Sequence, residues 1–138
     1  MENKVFLDTS YLVALIIEKD ENHEKAVELS LKIEQNEIQI YTTQAIILEI
    51  GNSLSKLKYR QSAIGLIDFL RSDSSISIIT LDTELFDAAF ELFSNRSDKE
   101  WGLIDCASFI VMQEQEITDA LTADEHFVQA GFRALLRE

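Results

Sequence analysis

Four acidic residues lie inside or beside runs that are otherwise apolar: Asp8, Glu49, Asp105 and Asp124. Removing a carboxylate from water is costly in free energy unless its charge is compensated. Four such carboxylates, spread along the chain, therefore suggest that folding brings them to a shared cation. Mg²⁺ and Mn²⁺ suit a site whose ligands are all oxygen atoms.

The chemistry of such a site follows from the charges. Converging carboxylates repel one another, and a divalent cation would compensate that repulsion. A cation of this kind lowers the pKa of a bound water and stabilises charge on a phosphoryl oxygen, so the pattern predicts metal-assisted phosphodiester hydrolysis. His23 and His126 are the only histidines, which leaves little material for a zinc site or a Ser-His-Asp triad. We expect His126 to be a packing residue or to support the site from outside.

Other interpretations of the acids remain open. Asp8 and Asp124 each precede a predicted helix, so each could simply accept a hydrogen bond from the first helical turn, a contribution of about 1 kcal/mol. Asp82, in a local pattern like that of Asp8, is predicted to be such a cap. Glu49 and Asp105 fall inside predicted helices, where a cap explains neither. They could lie on solvated helix faces.

Small polar residues follow the two helical acids at the spacing of one helix face. Asn52 comes three residues after Glu49, and Ser108 comes three residues after Asp105. These neighbours are short hydrogen-bonding side chains rather than Lys or Glu. Such a face is more typical of a lined pocket than of open solvent.

Composition indicates one compact domain over residues 1–138, since 46% of the residues are hydrophobic. Cys106 is the single cysteine, and the sequence opens without a basic and then apolar leader, so we expect a reducing, cytoplasmic setting. The apolar stretch 11–17 is too short to cross a membrane, and no membrane segment is predicted.

The net charge of −13 counts against a nucleic acid partner, because the molecule as a whole repels polyanions. Cations bound to several carboxylates would weaken this objection near the site. Basic residues also cluster in the sequence, and an ordinary solvated surface is an alternative interpretation of each cluster: Lys56, Lys58 and Arg60; Arg96 and Lys99; Arg133 and Arg137.

The elements that would position the acids alternate between strands and helices. Strands are predicted over 5–7, 38–41, 76–79 and 119–122, with an edge strand over 132–135. Helices are predicted to follow Asp8 as far as residue 17, then over 22–36, after Thr43, and over 61–70, 84–93, 101–115 and 125–130. This alternation predicts an α/β fold with a parallel sheet covered on both faces. Ligands of such sheets bind beyond the carboxyl ends of the strands, where Asp8 and Asp124 are placed.

Four segments carry a resemblance to a known family: VFLDTSYL at 5–12, LEIGNSL at 48–54, LIDCASF at 103–109 and LTADEHF at 121–127, with Gly131-Phe132 after it. Together they resemble the PIN-domain nucleases, including the VapC-type toxins of bacterial toxin–antitoxin pairs. The resemblance covers nearly the whole chain, in the family's order. It implies a three-layer α/β/α sandwich with a central parallel sheet, and an acidic pocket that holds Mg²⁺ or Mn²⁺ for cleavage of RNA.

Carried over by position, the resemblance implies that Asp8, Glu49, Asp105 and Asp124 are the metal-site and catalytic acids, with Asp8 and Asp105 as direct ligands. It implies supporting or substrate-contacting roles for four further residues: Thr9, Thr122, Asn52 and Ser108. Many relatives carry a hydroxyl residue just before the third acid, whereas here the hydroxyl comes after it, at Ser108.

The resemblance also implies partners: an RNA substrate, a small antitoxin protein and a second copy of the chain in a homodimer. In so acidic a chain, contact with RNA would depend on basic residues at the pocket rim, for which we consider Lys56, Lys58, Arg60 and Lys99.

Two other functions remain alternatives. One is a phosphatase or phosphotransferase with Asp8 as covalent nucleophile, although the common haloacid-dehalogenase pattern has a second Asp where this chain has Ser10. The other is a catalytically silent interaction module. Retention of four acids argues against that module, because clustered negative charges without a cation destabilise a fold.

Overall fold

The computed structural model describes residues 1–138 and centres on one parallel sheet of five strands in the order β3-β2-β1-β4-β5. The strands are β1 (Lys4–Leu7), β2 (Gln39–Thr43), β3 (Ile76–Ile79), β4 (Asp119–Leu121) and β5 (Arg133–Ala134). Strands β2 and β3 lie on one side of β1, and β4 and β5 lie on the other side. The direction of the chain across the sheet therefore reverses between β1 and β4.

Helices cover both faces of the sheet, so the predicted three-layer α/β/α architecture is confirmed. They are α1 (Thr9–Ile16), α2 (His23–Gln35), α3 (Gln44–Ser53), α4 (Leu57–Ser72), α5 (Thr83–Asn95), α6 (Leu103–Glu114) and α7 (Glu125–Gln129), followed by a 3₁₀ turn at Leu135–Arg137. None of these helices combines the length and apolar composition that crossing a bilayer requires.

An aromatic cluster joins the elements that carry three of the four acids. Phe109 of α6 packs edge-on against Phe127 of α7 with ring centroids 5.0 Å apart, and Phe127 lies 6.3 Å from Phe6 of β1. Trp101, just before α6, packs edge-on against Phe109 at 5.1 Å. Because interlocked rings of this kind tolerate little displacement, α6, α7 and the end of β1 are fixed relative to one another.

Two threonines at the end of β2 have different tasks. The Thr43 hydroxyl accepts a hydrogen bond from the amide of Ile46 and so caps α3. The buried Thr42 hydroxyl donates to the carbonyl of Leu7 at 2.9 Å, next to Asp8.

The predicted helix cap at Asp82 is confirmed, since its carboxylate accepts a hydrogen bond from the amide of Leu85 at 2.8 Å.

Several predicted boundaries differ from the structure, including the starts of two helices and the length of the last strand. Helix α4 begins at Leu57, four residues before the predicted start. The prediction missed this first turn because Leu57 is 90% exposed and the turn carries no amphipathic pattern. Helix α6 begins at Leu103, since Trp101 packs into the core before the helix starts. The last strand covers only Arg133–Ala134, and the chain then forms the 3₁₀ turn.

Candidate active site

Asp8 lies at the carboxyl end of β1, where the chain reverses across the sheet, and only 6% of the residue is exposed. Its carboxylate does not cap α1. Instead, the hydroxyl of Thr122 donates to Asp8 Oδ2 at 2.7 Å, and the hydroxyl of Ser10 donates to the same oxygen at 3.2 Å. Two hydroxyl groups from separate segments therefore orient this one carboxylate.

The same two hydroxyl groups are themselves held by the backbone after β4. The amide of Ala123 donates to Ser10 Oγ at 3.0 Å, and the amide of Asp124 donates to Thr122 Oγ1 at 3.0 Å. The two hydroxyl oxygens are 3.1 Å apart. Because each oxygen accepts a backbone N–H, its own proton is left to donate within the network, and Asp8 is fixed before any ligand binds.

Burial raises the pKa of Asp8 from 3.8 to about 6. The hydrogen bond from Thr122 lowers this pKa, whereas the charges of Asp105 and Glu49 raise it. The folded protein therefore holds Asp8 in a place that disfavours its ionised form. Both other acids are near enough for their charge to act on it.

Glu49 reaches the cluster from α3, the helix that follows β2. The hydroxyl of Thr9, in the first turn of α1, donates a hydrogen bond to Glu49 Oε1. Glu49 is half-buried, so it does not lie on a fully solvated helix face. Thr9 thus orients Glu49 in the way that Thr122 orients Asp8.

Asp105 is the third residue of α6, and its carboxylate folds back over the start of that helix. Oδ2 accepts a hydrogen bond from the amide of Gly102 at 3.0 Å. The expectation that capping does not explain this position is wrong, because α6 starts two residues later than predicted. Burial nevertheless raises the pKa of Asp105; the Gly102 amide lowers it and the charge of Asp124 raises it further.

Asp124 combines capping with a place in the cluster. Its Oδ1 accepts from the amide of His126 at 2.9 Å and so caps α7. The imidazole Nδ1 of His126 lies 3.2 Å from Asp105 Oδ2 and 3.4 Å from Asp124 Oδ1. One ligand atom from each of these three side chains lies within 4.8 Å of the others.

Two residues predicted to support the site lie differently. Ser108 is fully buried, and its hydroxyl donates to the carbonyl of Ile104 in its own helix rather than to an acid. Asn52 is exposed on α3, one turn beyond Glu49. Sequence reasoning also missed the contact of Ser10 with Asp8. The Asp-x-Ser spacing at the start of a helix was the available signal, but it equally predicts ordinary capping.

The donor chemistry fits a divalent cation. Four carboxylates come from four separate segments, and no Lys or Arg side chain forms an ion pair with any of them. A buried carboxylate with a raised pKa and no basic partner gains most from a cation bound beside it. The cluster therefore has the oxygen donors and the negative charge that suit a divalent cation.

The family model described as PIN domain matches residues 5–133 of the chain. The chain belongs to the PIN-domain family. No functionally curated protein matches the sequence. Among solved structures, it is similar to the crystal structure of Mycobacterium tuberculosis VapC20, described as a toxin that cleaves the sarcin-ricin loop. The TM-score is 0.83 at 23% identity, over 94% of this chain and 96% of that one.

The raised pKa of Asp8 has a measurable cost in this PIN domain. With chelator present, ionised Asp8 destabilises the folded state, because its pKa is about 6 in the folded protein and 3.8 for an ordinary solvated aspartate. We predict that Asp8→Asn raises the free energy of unfolding at pH 7.5 by about 3 kcal/mol. Below pH 3.8 this advantage disappears, and at pH 5 it is about half as large, since the folded wild type then keeps its proton.

Urea unfolding in EDTA at pH 7.5 and pH 5 measures both values. The control is Asp68→Asn, which removes an exposed charge on α4 and should change stability by less than about 0.5 kcal/mol. An Asp8→Asn protein that is less stable than wild type at pH 7.5 would contradict the claim that ionised Asp8 destabilises the folded state.

Proposed function

We propose that this PIN domain is a divalent-cation-dependent endoribonuclease. Two observations carry the proposal. Ligand atoms of Asp105, Asp124 and His126 lie within 4.8 Å of one another, and the buried Asp8 is near enough to Asp105 and Glu49 for their charges to raise its pKa. Burial raises the pKa of two of the four acids, Asp8 and Asp105, and the charge of a neighbouring acid raises each pKa further. Hydrolysis of a phosphodiester places further negative charge in the same space, so a cation is needed there.

Each acid has a distinct task in this proposal. Asp8, Asp105 and Asp124 would hold Mg²⁺ or Mn²⁺, and the bound ion would make a water more acidic and would stabilise negative charge on the phosphoryl group. Glu49 is held through Oε1 by Thr9, so its other oxygen is free to accept a hydrogen bond from the attacking water. Thr122 and Ser10 keep Asp8 in place. The reaction adds water across the P–O bond and releases a nucleoside hydroxyl group.

Cleavage of RNA by the purified protein tests the proposal. We expect cleavage with Mg²⁺ or Mn²⁺, none with EDTA, and a loss of at least about 100-fold in Asp8→Asn and Asp105→Asn, because each removes a charged ligand. Asp68→Asn serves as the charge-loss control and should cleave like wild type. Equal cleavage by all four proteins would reject the assignment and indicate a contaminating nuclease.

The similarity to VapC20 supports a second part of the proposal: the chain is the toxin of a toxin–antitoxin pair, with a small antitoxin as partner. Expression in bacteria tests it. Wild type should arrest growth, whereas Asp8→Asn at an equal protein level should not. Growth arrest by both proteins would contradict the proposal that the nuclease activity causes the toxicity.

Arg137 is a candidate contact for the RNA backbone. Its Nη1 donates to the carbonyl of Ala123 at 3.1 Å, one residue from Asp124, and it pairs with no acid. In a chain of net charge −13, this guanidinium is a cation tethered to the loop that carries the site. The contacts proposed from sequence for Lys56, Lys58, Arg60 and Lys99 stay predictions. Among these, the Nε of Arg60 already donates a hydrogen bond to the carbonyl of Ser55.

We predict that Arg137→Ala weakens RNA binding roughly 5- to 10-fold irrespective of sequence and reduces the salt slope by about 0.7, the loss of one phosphate contact on a single strand. Fluorescence anisotropy in the non-cleaving Asp105→Asn background measures both. The control is Lys32→Ala, because Lys32 lines a cavity with Asn3 and Ile38 at the amino ends of the strands. A larger loss of RNA affinity from Lys32→Ala than from Arg137→Ala would indicate that RNA binds at the amino ends of the strands instead.

A homodimer is the remaining part of the proposal, and an aromatic stripe on α5 supports it. Phe86, Phe90 and Phe93 are 46%, 53% and 44% exposed, and the first two rings stack with centroids 6.5 Å apart. Three exposed aromatic rings on one helix form a patch that water disfavours. A second copy would cover it with the same stripe about a two-fold axis.

We predict that Phe90→Glu shifts a dimer to monomer, because it places two like charges across that axis. Sedimentation at several concentrations measures the shift, with Phe69→Glu on α4, a ring of similar exposure, as the control. Dimers that survive Phe90→Glu and dissociate with Phe69→Glu would assign the interface to α4.

A further inference from the structure

His126 is the one nitrogen side chain within the acidic cluster. Its ring is mostly buried, with 25% of the side chain exposed, and Nδ1 faces both Asp105 and Asp124. No lysine or arginine pairs with either acid. Besides the backbone amides of Gly102 and His126, the imidazole is therefore the one side chain with a nitrogen that faces both carboxylates.

The backbone holds His126 in this place. Its amide donates to Asp124 Oδ1, so the capping carboxylate and the ring belong to one turn of chain. The next residue, Phe127, is fully buried in the aromatic cluster and packs at 5.0 Å against Phe109 of the helix that carries Asp105. Little freedom is left for the ring to move away from the two acids.

The spacing in this group suits metal coordination as well as hydrogen bonding. Two ligands at right angles on a cation with bonds of about 2.1 Å are about 3.0 Å apart. Nδ1 lies 3.2 Å from Asp105 Oδ2 and 3.4 Å from Asp124 Oδ1. A small adjustment of side chains therefore converts an N–H donor into a ligand when the ring carries its proton on Nε2 instead.

We propose that His126 is a direct ligand of the cation, together with Asp105 and Asp124. The inference rests on the proposed function, since the cation is that of the nuclease site. Imidazole nitrogen is a poor ligand for Mg²⁺, which prefers oxygen, and a good one for first-row transition metals. One nitrogen among carboxylates shifts the preference of this site from Mg²⁺ toward transition-metal dications, for which Mn²⁺ is the probe.

The first test is spectroscopic and needs no catalysis. Electron spin-echo modulation of Mn²⁺ bound to the full chain should show the coupling of a directly bonded imidazole nitrogen. Histidine labelled with ¹⁵N should change that coupling. Because His23 is the only other histidine and its Nδ1 bonds to the carbonyl of Ala14, His23→Gln should keep the signal and His126→Gln should lose it. Bound Mn²⁺ without a nitrogen coupling in wild type overturns the proposal.

The second test is the ratio of two affinities. By calorimetry, His126→Gln should weaken Mn²⁺ binding by about tenfold or more and Mg²⁺ binding by less than about threefold. Equal weakening of both would show that His126 only positions the acids, and this overturns the proposal. Should His126→Gln fail to fold, the labelling experiment on wild type decides alone. Wild type that binds neither cation would overturn the proposed function as well, whereas binding without a histidine signature overturns this inference only.

Discussion

Negative charge held out of water where the chain reverses across the sheet is the constraint on which the rest of this structure depends. Asp8 is buried beside other acids, and this burial raises its pKa to about 6 because it disfavours the ionised form. Carboxylates in this situation separate or turn outward unless rigid elements hold them. The network of Ser10, Thr122 and the backbone amides after β4 provides that rigidity.

The packing of the core serves the same end. Phe6, Phe109 and Phe127 belong to the three elements that present Asp8, Asp105 and Asp124, and the ring of Phe127 packs against the other two. A displacement of α6 or α7 would open this aromatic cluster and separate the acids at once. Apolar burial therefore supplies the free energy that keeps like charges together. A bound cation would stabilise the folded state by reducing the repulsion between these charges.

Much of this arrangement was predictable from sequence because its signals are local. Short apolar runs such as Val5–Leu7 and Ile76–Ile79 marked strands, and Asp82 marked a helix start, as the structure confirms. The acids stood out because carboxylates rarely occur in apolar runs. Helix α4 was harder, since Leu57 at its first turn is exposed and shows no helical periodicity.

What sequence could not provide were contacts between distant residues. The bond from Thr122 to Asp8 spans 114 positions, and the Asp-x-Ser spacing at Ser10 does not distinguish a place in this network from ordinary helix capping. Ser108 illustrates the opposite error. Its spacing from Asp105 suggested a site residue, but its hydroxyl bonds within its own helix. The place of His126 between two acids likewise depends on tertiary packing, because Asp105 is 21 positions away.

Anomalous diffraction from a crystal soaked in Mn²⁺ tests the central claim most directly, because it locates the cation and its ligands together. A strong peak bonded to carboxylate oxygens of Asp8 and Asp105 is expected, with Thr122 still donating to Asp8. Full occupancy of Mn²⁺ elsewhere, with these carboxylates turned toward solvent, would contradict the claim that their shared negative charge exists to hold a cation.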